Sequence, residues 1–223
     1  MKEVENVYKA LPFWSWNGDL QEEELLKQID WMYKQGMGGF FMHARAGLET
    51  EYLGEKWFDC VKACAEKAQE LGMEAYAYDE NGWPSGFVGG KLLEDIENHD
   101  RYLTYEIGDY DDKALVSYEM RGAGLRRINE PCQNCLNIYQ HYSTYTADIL
   151  NPEVVDKFLA LTHEEYRKHD TYNLKGFFTD EPQYNRWGVP YTKMLAPYFE
   201  KEYGEDILDG LGLLFTIFRL ALM

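Results

Sequence analysis

Two pairs of adjacent acids, Asp79-Glu80 and Asp180-Glu181, each follow directly on a short apolar run, Glu74–Tyr78 and Gly176–Thr179. Such a run reads as a buried strand, and Pro182 cannot extend the hydrogen-bond ladder beyond the second pair. A parallel strand covered by helices is dry on both faces, so acids at its carboxyl edge need a reason. The plainer account is that they accept backbone N–H bonds from the following loop. Asp79 suits that role toward Asn81 or Gly82, which leaves Glu80 as the freer carboxylate. In an extended chain Asp180 and Glu181 point to opposite faces, so one of them looks into a pocket, and the longer Glu181 reaches a substrate from the rim.

Other strand ends add to the pattern. Leu11–Asn17 ends in Trp14, Trp16 and Asn17, Gly39–His43 delivers His43 and Arg45, and Trp83 lies in the turn just after Glu80. Indole rings cover the apolar face of a sugar while acids and amides bond its hydroxyls, so carbohydrate is the ligand class this set suits. Two carboxyls from different strands, Glu181 and Glu80, supply an acid and a base for cleaving a glycosidic bond. The other candidates for substrate contact are Trp14, Trp16, Asn17, His43, Arg45, Asp79, Trp83 and Asp180. Each has a structural alternative: His43 as a satisfied strand-end histidine, Trp83 as packing for a tight turn, and Trp14 and Trp16 divided between a sheet interior and the helix side.

The elements that must position these residues alternate. Asp19–Gln35 is a helix with Glu22, Glu23 and Glu24 in its first turn and Leu25, Leu26, Ile29, Met32 and Tyr33 on one face, and Gly36 stops it. Glu55–Leu71 is a second helix, closed by Gly72. Asn151-Pro152-Glu153 opens another, with Asn as N-cap, running to about His169. The strand Gly176–Thr179 follows, and then a helix around Tyr191–Tyr203. Between about Arg101 and Thr146 the rhythm breaks into β-rich segments separated by turns. The expectation is an α/β chain: a partial (β/α)8 TIM-like barrel of about four βα units, one incomplete domain over residues 1–223, with an antiparallel β-rich insertion at about 100–147. Half a barrel leaves an open sheet edge. With the apolar Leu211–Met223, that edge suggests a homo-oligomer or a missing carboxyl-terminal half.

Composition narrows the partners. The net charge is −17, from 39 acids against 22 bases, which repels nucleic acid and anionic membrane surfaces. No run reaches the ~20 apolar residues of a membrane span. The N-terminus, MKEVENVYKALPFW, is charged and lacks the apolar core of a secretory signal, so a cytoplasmic location is expected. Four cysteines suit a reducing compartment. Cys60 and Cys64 share a helix face and read as buried thiols, and Cys132 and Cys135 form a lone CxxC with no second pair to complete a metal site.

The segments PFWSWNGDL, QIDWMYKQGMGGFFMHARAGL, YLGEKWFDCVKACAEKAQELGMEAYAYDENGWPSGFVGG, ADILNPEVVDKF and GFFTDEP, spanning Leu11–Gly90 and Tyr145–Pro182 in order, together resemble the amino-terminal half of the catalytic barrel of the α-L-rhamnosidase family GH106. DENGWPSG and FTDEP are the most specific parts. The resemblance implies a (β/α)8 glycoside hydrolase of the inverting kind with a calcium ion near the sugar, Glu181 as a catalytic carboxyl, and Asp79 and Glu80 as active-site acids. The second half of such a barrel, with whatever catalytic or metal-binding residues it carries, has no counterpart here. The residues themselves point to no certain cofactor, and calcium is an expectation of the resemblance alone. Two other readings stand beside the hydrolase: a non-catalytic carbohydrate-binding half-barrel, and a metal-dependent isomerase or aldolase-type barrel with His43, Asp79, Glu80 and Glu181 as ligands.

Overall fold

The computed structural model describes residues 8–122, 124–169, 171, 173–183 and 187–220, with side chains as far as residue 216. In chain order the elements are β1 (Phe13–Gly18), α1 (Glu22–Lys34), β2 (Gly39–Leu48), α2 (Glu55–Glu70) and β3 (Glu74–Asn81). Next come β4 (His99–Gly108), β5 (Val116–Arg121), β6 (Gly124–Ile128) and β7 (Cys135–Ala147). The chain continues through α3 (Pro152–Leu161), α4 (His163–Lys168), β8 (Phe177–Phe178), β9 (Val189–Tyr191), α5 (Leu195–Tyr203), α6 (Ile207–Gly210) and α7 (Leu213–Leu220). It divides into two compact units, Met1–Glu94 with Val155–Pro182, and Asp95–Val154 with Gln183–Met223.

The first unit holds a four-stranded parallel sheet in the order β1-β2-β3-β8. Helices cover one face. Trp14 donates its indole N–H to Gln28 of α1, Trp16 packs edge-on against Trp57 of α2, and Phe177 stacks on His163 of α4. In α1, Leu25 and Ile29 turn inward while Tyr33 stays exposed. In α2 the inner face is Trp57, Phe58, Val61, Cys64, Ala65 and Ala68. Cys60 and Cys64 are buried there as free thiols, and burial pushes both up from the ordinary thiol value. Gly39 opens β2 where no side chain fits, since a Cβ there would lie 2.1 Å from the Glu74 carbonyl oxygen.

The opposite face of this sheet carries Phe13, Phe41, His43, Tyr76, Tyr78 and Phe178. The rings of Phe13 in β1 and Phe178 in β8 meet at 4.8 Å although β2 and β3 lie between them. Three strand spacings would hold them about 14 Å apart on a flat sheet. The sheet therefore curls steeply, and aromatic side chains fill its concave side.

The second unit is built on a five-stranded sheet of order β6-β5-β7-β4-β9, all of whose pairings are antiparallel. Its core is Leu103, Val116, Tyr118, Leu136, Ile138, Tyr191, Leu211 and Phe215. The apolar tail thus contributes Leu211 and Phe215 to a core of its own unit, while Leu213 and Leu214 stay exposed and residues 221–223 lie outside the described part. Cys135 is buried in β7, where burial pushes its thiol up to about 12; it and Cys132 are unoxidised.

These findings overturn the expectation of a partial (β/α)8 TIM-like barrel. The chain is α/β, with an open parallel sheet in one unit and a separate antiparallel sheet in the other. The alternation of short strands and amphipathic helices is common to open parallel sheets and to barrels, and only strand number and closure separate them. Here the chain leaves the parallel sheet after β3 to build β4–β7, and returns only for the two-residue β8. Two smaller differences have local causes. The helix read as continuous from Asn151 to His169 is interrupted at Thr162, whose hydroxyl bonds the Phe158 carbonyl. Tyr191 belongs to β9 rather than to a helix, which begins only at Leu195. Asn151 does sit ahead of α3, with its side-chain oxygen accepting the Glu153 N–H at 3.1 Å.

Candidate functional site at the carboxyl edge of the parallel sheet

Ligands of open α/β sheets collect beyond the carboxyl ends of the parallel strands. At that edge β2 supplies His43, β3 supplies Tyr78, Asp79 and Glu80, and the segment after β8 supplies Asp180 and Glu181. Up to Tyr78 the odd positions of β3 face the helices and the even ones the concave side, and the pairing with β2 is irregular between Ala77 and Asn81, where the two acids sit.

Asp79 is fully buried. One carboxylate oxygen accepts the Ser85 hydroxyl at 2.7 Å. The other accepts the Thr179 hydroxyl at 2.5 Å and the His163 Nε2–H at 3.2 Å. It knits β3 to β8 and α4 and offers nothing to a ligand.

Glu80 is also 0% exposed. Its two oxygens accept the backbone N–H groups of Asn81 (2.8 Å), Gly86 (3.1 Å), Phe87 (2.9 Å), Val88 (2.8 Å) and Gly89. Burial pushes its pKa up while those N–H bonds pull the other way. A protonated carboxyl would set an O–H against donors, so the arrangement suits the carboxylate. The sequence reading gave the loop-capping role to Asp79 and left Glu80 free. The structure gives that role to Glu80, and the reason is length: the glutamate side chain reaches past the turn to four successive amides beyond it.

The groups that remain are on the concave side. The Tyr78 hydroxyl donates to Asp180 Oδ2 at 2.8 Å, and the Tyr78 ring stacks on His43 at 3.5 Å. Burial, then the Asp180 contact, hold the phenol far above its ordinary value, so it stays a donor. His43 Nε2–H donates to the Gly82 carbonyl at 3.3 Å, and burial pushes its pKa down, toward the neutral ring. Ser85 and Asp180 are joined twice, Ser85 N–H to the Asp180 carbonyl and Asp180 N–H to Ser85 Oγ, each at 2.9 Å. Trp83 stands on the loop between Gly82 and Ser85 with 41% of its surface exposed.

Glu181 is exposed, on the same edge as Trp83, and its backbone takes the left-handed conformation at φ 42°. That twist departs from the extended geometry assumed for Asp180 and Glu181. Arg45 and Asn17 are exposed, near the ends of β2 and β1. Trp14 and Trp16 both face the helices, since residues two apart in a strand share a face, so neither reaches the concave side. Contacts at the edge thus join His43, Tyr78 and Asp180, with Trp83 and Glu181 exposed on the loops that follow β3 and β8, while Trp14, Trp16, Asp79 and Glu80 are withdrawn into the fold.

Sequence reasoning missed Tyr78, Ser85, His163 and Thr179. Tyr78 was recoverable, because it stands two residues before Glu80 on one strand face. His163 comes from a helix more than eighty residues away, and no spacing signals it. Among the described residues no group of three or more His, Cys, Asp or Glu is placed to hold a metal ion. The four ligands of the metal-dependent reading do not form such a group, and the oxygens of Asp79 and Glu80 are engaged by separate sets of partners. Nor do the described residues at this edge fit a calcium ion, since the oxygens of Asp79 and Glu80 are already taken by donors.

No protein-family model and no curated protein matches the chain. Among solved structures it is similar to a rhamnosidase from Novosphingobium sp. PP1Y, at 17% identity and a TM-score of 0.39. The match covers 50% of this chain and 12% of that one, so the chain spans a small part of that protein's length. A likeness of this degree carries no argument about function. Among the described residues no helix is long and apolar enough to cross a membrane.

Proposed function

We propose that the carboxyl edge of the parallel sheet is a carbohydrate site with glycoside-hydrolase chemistry, with Glu181 as general acid and Asp180 as the second carboxylate. The observation that carries this reading is the Tyr78–Asp180 hydrogen bond, with His43 stacked on the Tyr78 ring and with Trp83 and Glu181 exposed on the loops of the same sheet edge. Trp83 offers a ring to the apolar face of a sugar, and Asp180, fixed by a phenol that keeps its proton, offers a carboxylate where positive charge develops on the anomeric carbon. Glu181, exposed at the same edge, is the carboxyl open to hydrogen-bond contact with a leaving oxygen in this reading. The motif resemblance to the α-L-rhamnosidases makes a deoxyhexose the first sugar to try. Arg45 and Asn17, exposed near the strand ends, are the further hydroxyl contacts in this reading.

A screen of aryl glycosides tests it, starting with aryl rhamnoside. Glu181→Gln lowers turnover by roughly 10²-fold or more while sugar binding, followed by calorimetry, stays within a few-fold. Turnover equal to that of the unchanged protein removes Glu181 from the mechanism. One observation favours a second reading, a carbohydrate-binding site without catalysis: Glu80, the acid expected to activate water, is consumed by backbone bonds. Sugar binding with no hydrolysis of any aryl glycoside would select it.

A further inference from the structure

Beyond Trp83 the loop is fastened by two neighbouring residues of one strand. Asp79 takes the Ser85 hydroxyl, and Ser85 is tied by its backbone and its Oγ to Asp180. Directly after it, the N–H groups of Gly86, Phe87, Val88 and Gly89 converge on Glu80. Converging backbone amides with left-handed residues among them form a concave nest of the kind that binds anions. Here Gly86, Val88 and Gly89 all have positive φ, at 128°, 57° and 59°. Val88 is β-branched and fully buried, and that conformation is costly for such a residue unless its surroundings impose it.

We infer that Glu80 is a positioning residue whose carboxylate serves as the built-in anion of the Gly86–Gly89 nest and thereby holds Trp83 at the carboxyl edge. The nest is complete without an external ligand, because the chain supplies its own. Removing the carboxylate leaves four inward-facing N–H groups around a space that formate fits. The loop then loses the constraint that keeps Val88 left-handed. Glu80 acts on a ligand only through Trp83, and that last step alone rests on the carbohydrate reading given above.

The experiment uses the whole chain labelled with 5-fluorotryptophan, with Trp83→Phe to assign the Trp83 fluorine signal. In Glu80→Gln, amide exchange at Gly86–Gly89 is expected to be roughly tenfold faster or more, with α2 unchanged and the Trp83 signal displaced. In Glu80→Ala the same losses are expected, and sodium formate restores both slow exchange and the Trp83 signal while sodium chloride does not. If Glu80→Ala unfolds as a whole, recovery of its fold on adding formate has the same meaning. Native protection of Gly86–Gly89 in Glu80→Gln, or loss in Glu80→Ala that formate does not reverse, overturns the inference. With an aryl glycoside that the native protein cleaves, Glu80→Gln raises KM with kcat within a few-fold, whereas a collapse of kcat at unchanged KM would make Glu80 catalytic instead. If the native protein cleaves none, the carbohydrate reading fails by itself, and the exchange and fluorine measurements still decide the role of Glu80.

Discussion

Tyr78 sends its hydroxyl to Asp180 across the β3–β8 pairing and its ring onto His43, so one side chain links three contributors to the edge. Tyr78→Phe keeps the stack and deletes the bond. Its expected cost is about 1 kcal/mol of stability, read from urea unfolding, together with weaker sugar binding because Asp180 is no longer held. Unchanged binding would mean that Asp180 needs no help from the phenol. The sequence showed that acids cluster at these strand ends, but not which of them are free. Asp79 and Glu80 were separable only by knowing that the next loop folds back over β3, presenting amides to the longer acid and Ser85 to the shorter. The pairing of Asp79 with His163 depends on where α4 docks, and local spacing carries no trace of that.

At the scale of elements, β1, β2, β3 and their helices were legible because periodicity switches cleanly from strand to helix and glycines mark the stops. Gly36 and Gly72 both take positive φ just after α1 and α2. Gly39 has a different task, since its missing side chain lets β2 approach Glu74. Gly39→Ala is expected to force those strands apart and to destabilise the protein by about 1–3 kcal/mol, as overpacking does in well-filled interiors. A thermal midpoint within one degree of the unchanged protein would argue against so close an approach. What stayed hidden was closure. Nothing in the βα rhythm says whether a sheet curls onto its own rings, as Phe13 and Phe178 do, or goes on to further strands.

At the scale of the whole molecule, a buried charge cluster stands out in the second unit. Arg101 is buried between Asp148 and Glu97, with its guanidinium over the Tyr142 ring, and Asp100 is buried beside it. Burial, then the negative charge of Asp148, push the Asp100 pKa from the ordinary 3.8 to about 6. Because the folded value is the higher one, Asp100 favours the fold fully below about pH 4, and that contribution is lost as pH rises through 6. The loss is on the order of 3 kcal/mol. Asp100→Asn should therefore flatten the fall in stability between pH 4 and pH 7 seen by denaturant titration, and an unchanged slope would clear Asp100 of that role. Association of copies, expected from the sequence, is a proposal for the open outer edges of β1 and β8. Light scattering after size exclusion should show a mass above that of one chain, and a clean monomer would count against it.

The Phe13–Phe178 contact sets an order of events on the ribosome. The residues of β1, β2 and β3 emerge before β8, and the ring that completes their concave side is made only after the whole of β4–β7 has been synthesised. For that interval the outer edge of β3 and the face around Phe13 are bare, and the nascent chain must keep them from pairing wrongly while β4–β7 are still being made. A ribosome stalled before Phe178 should accordingly carry a nascent chain that is far more open to protease in its first ninety residues than the released protein.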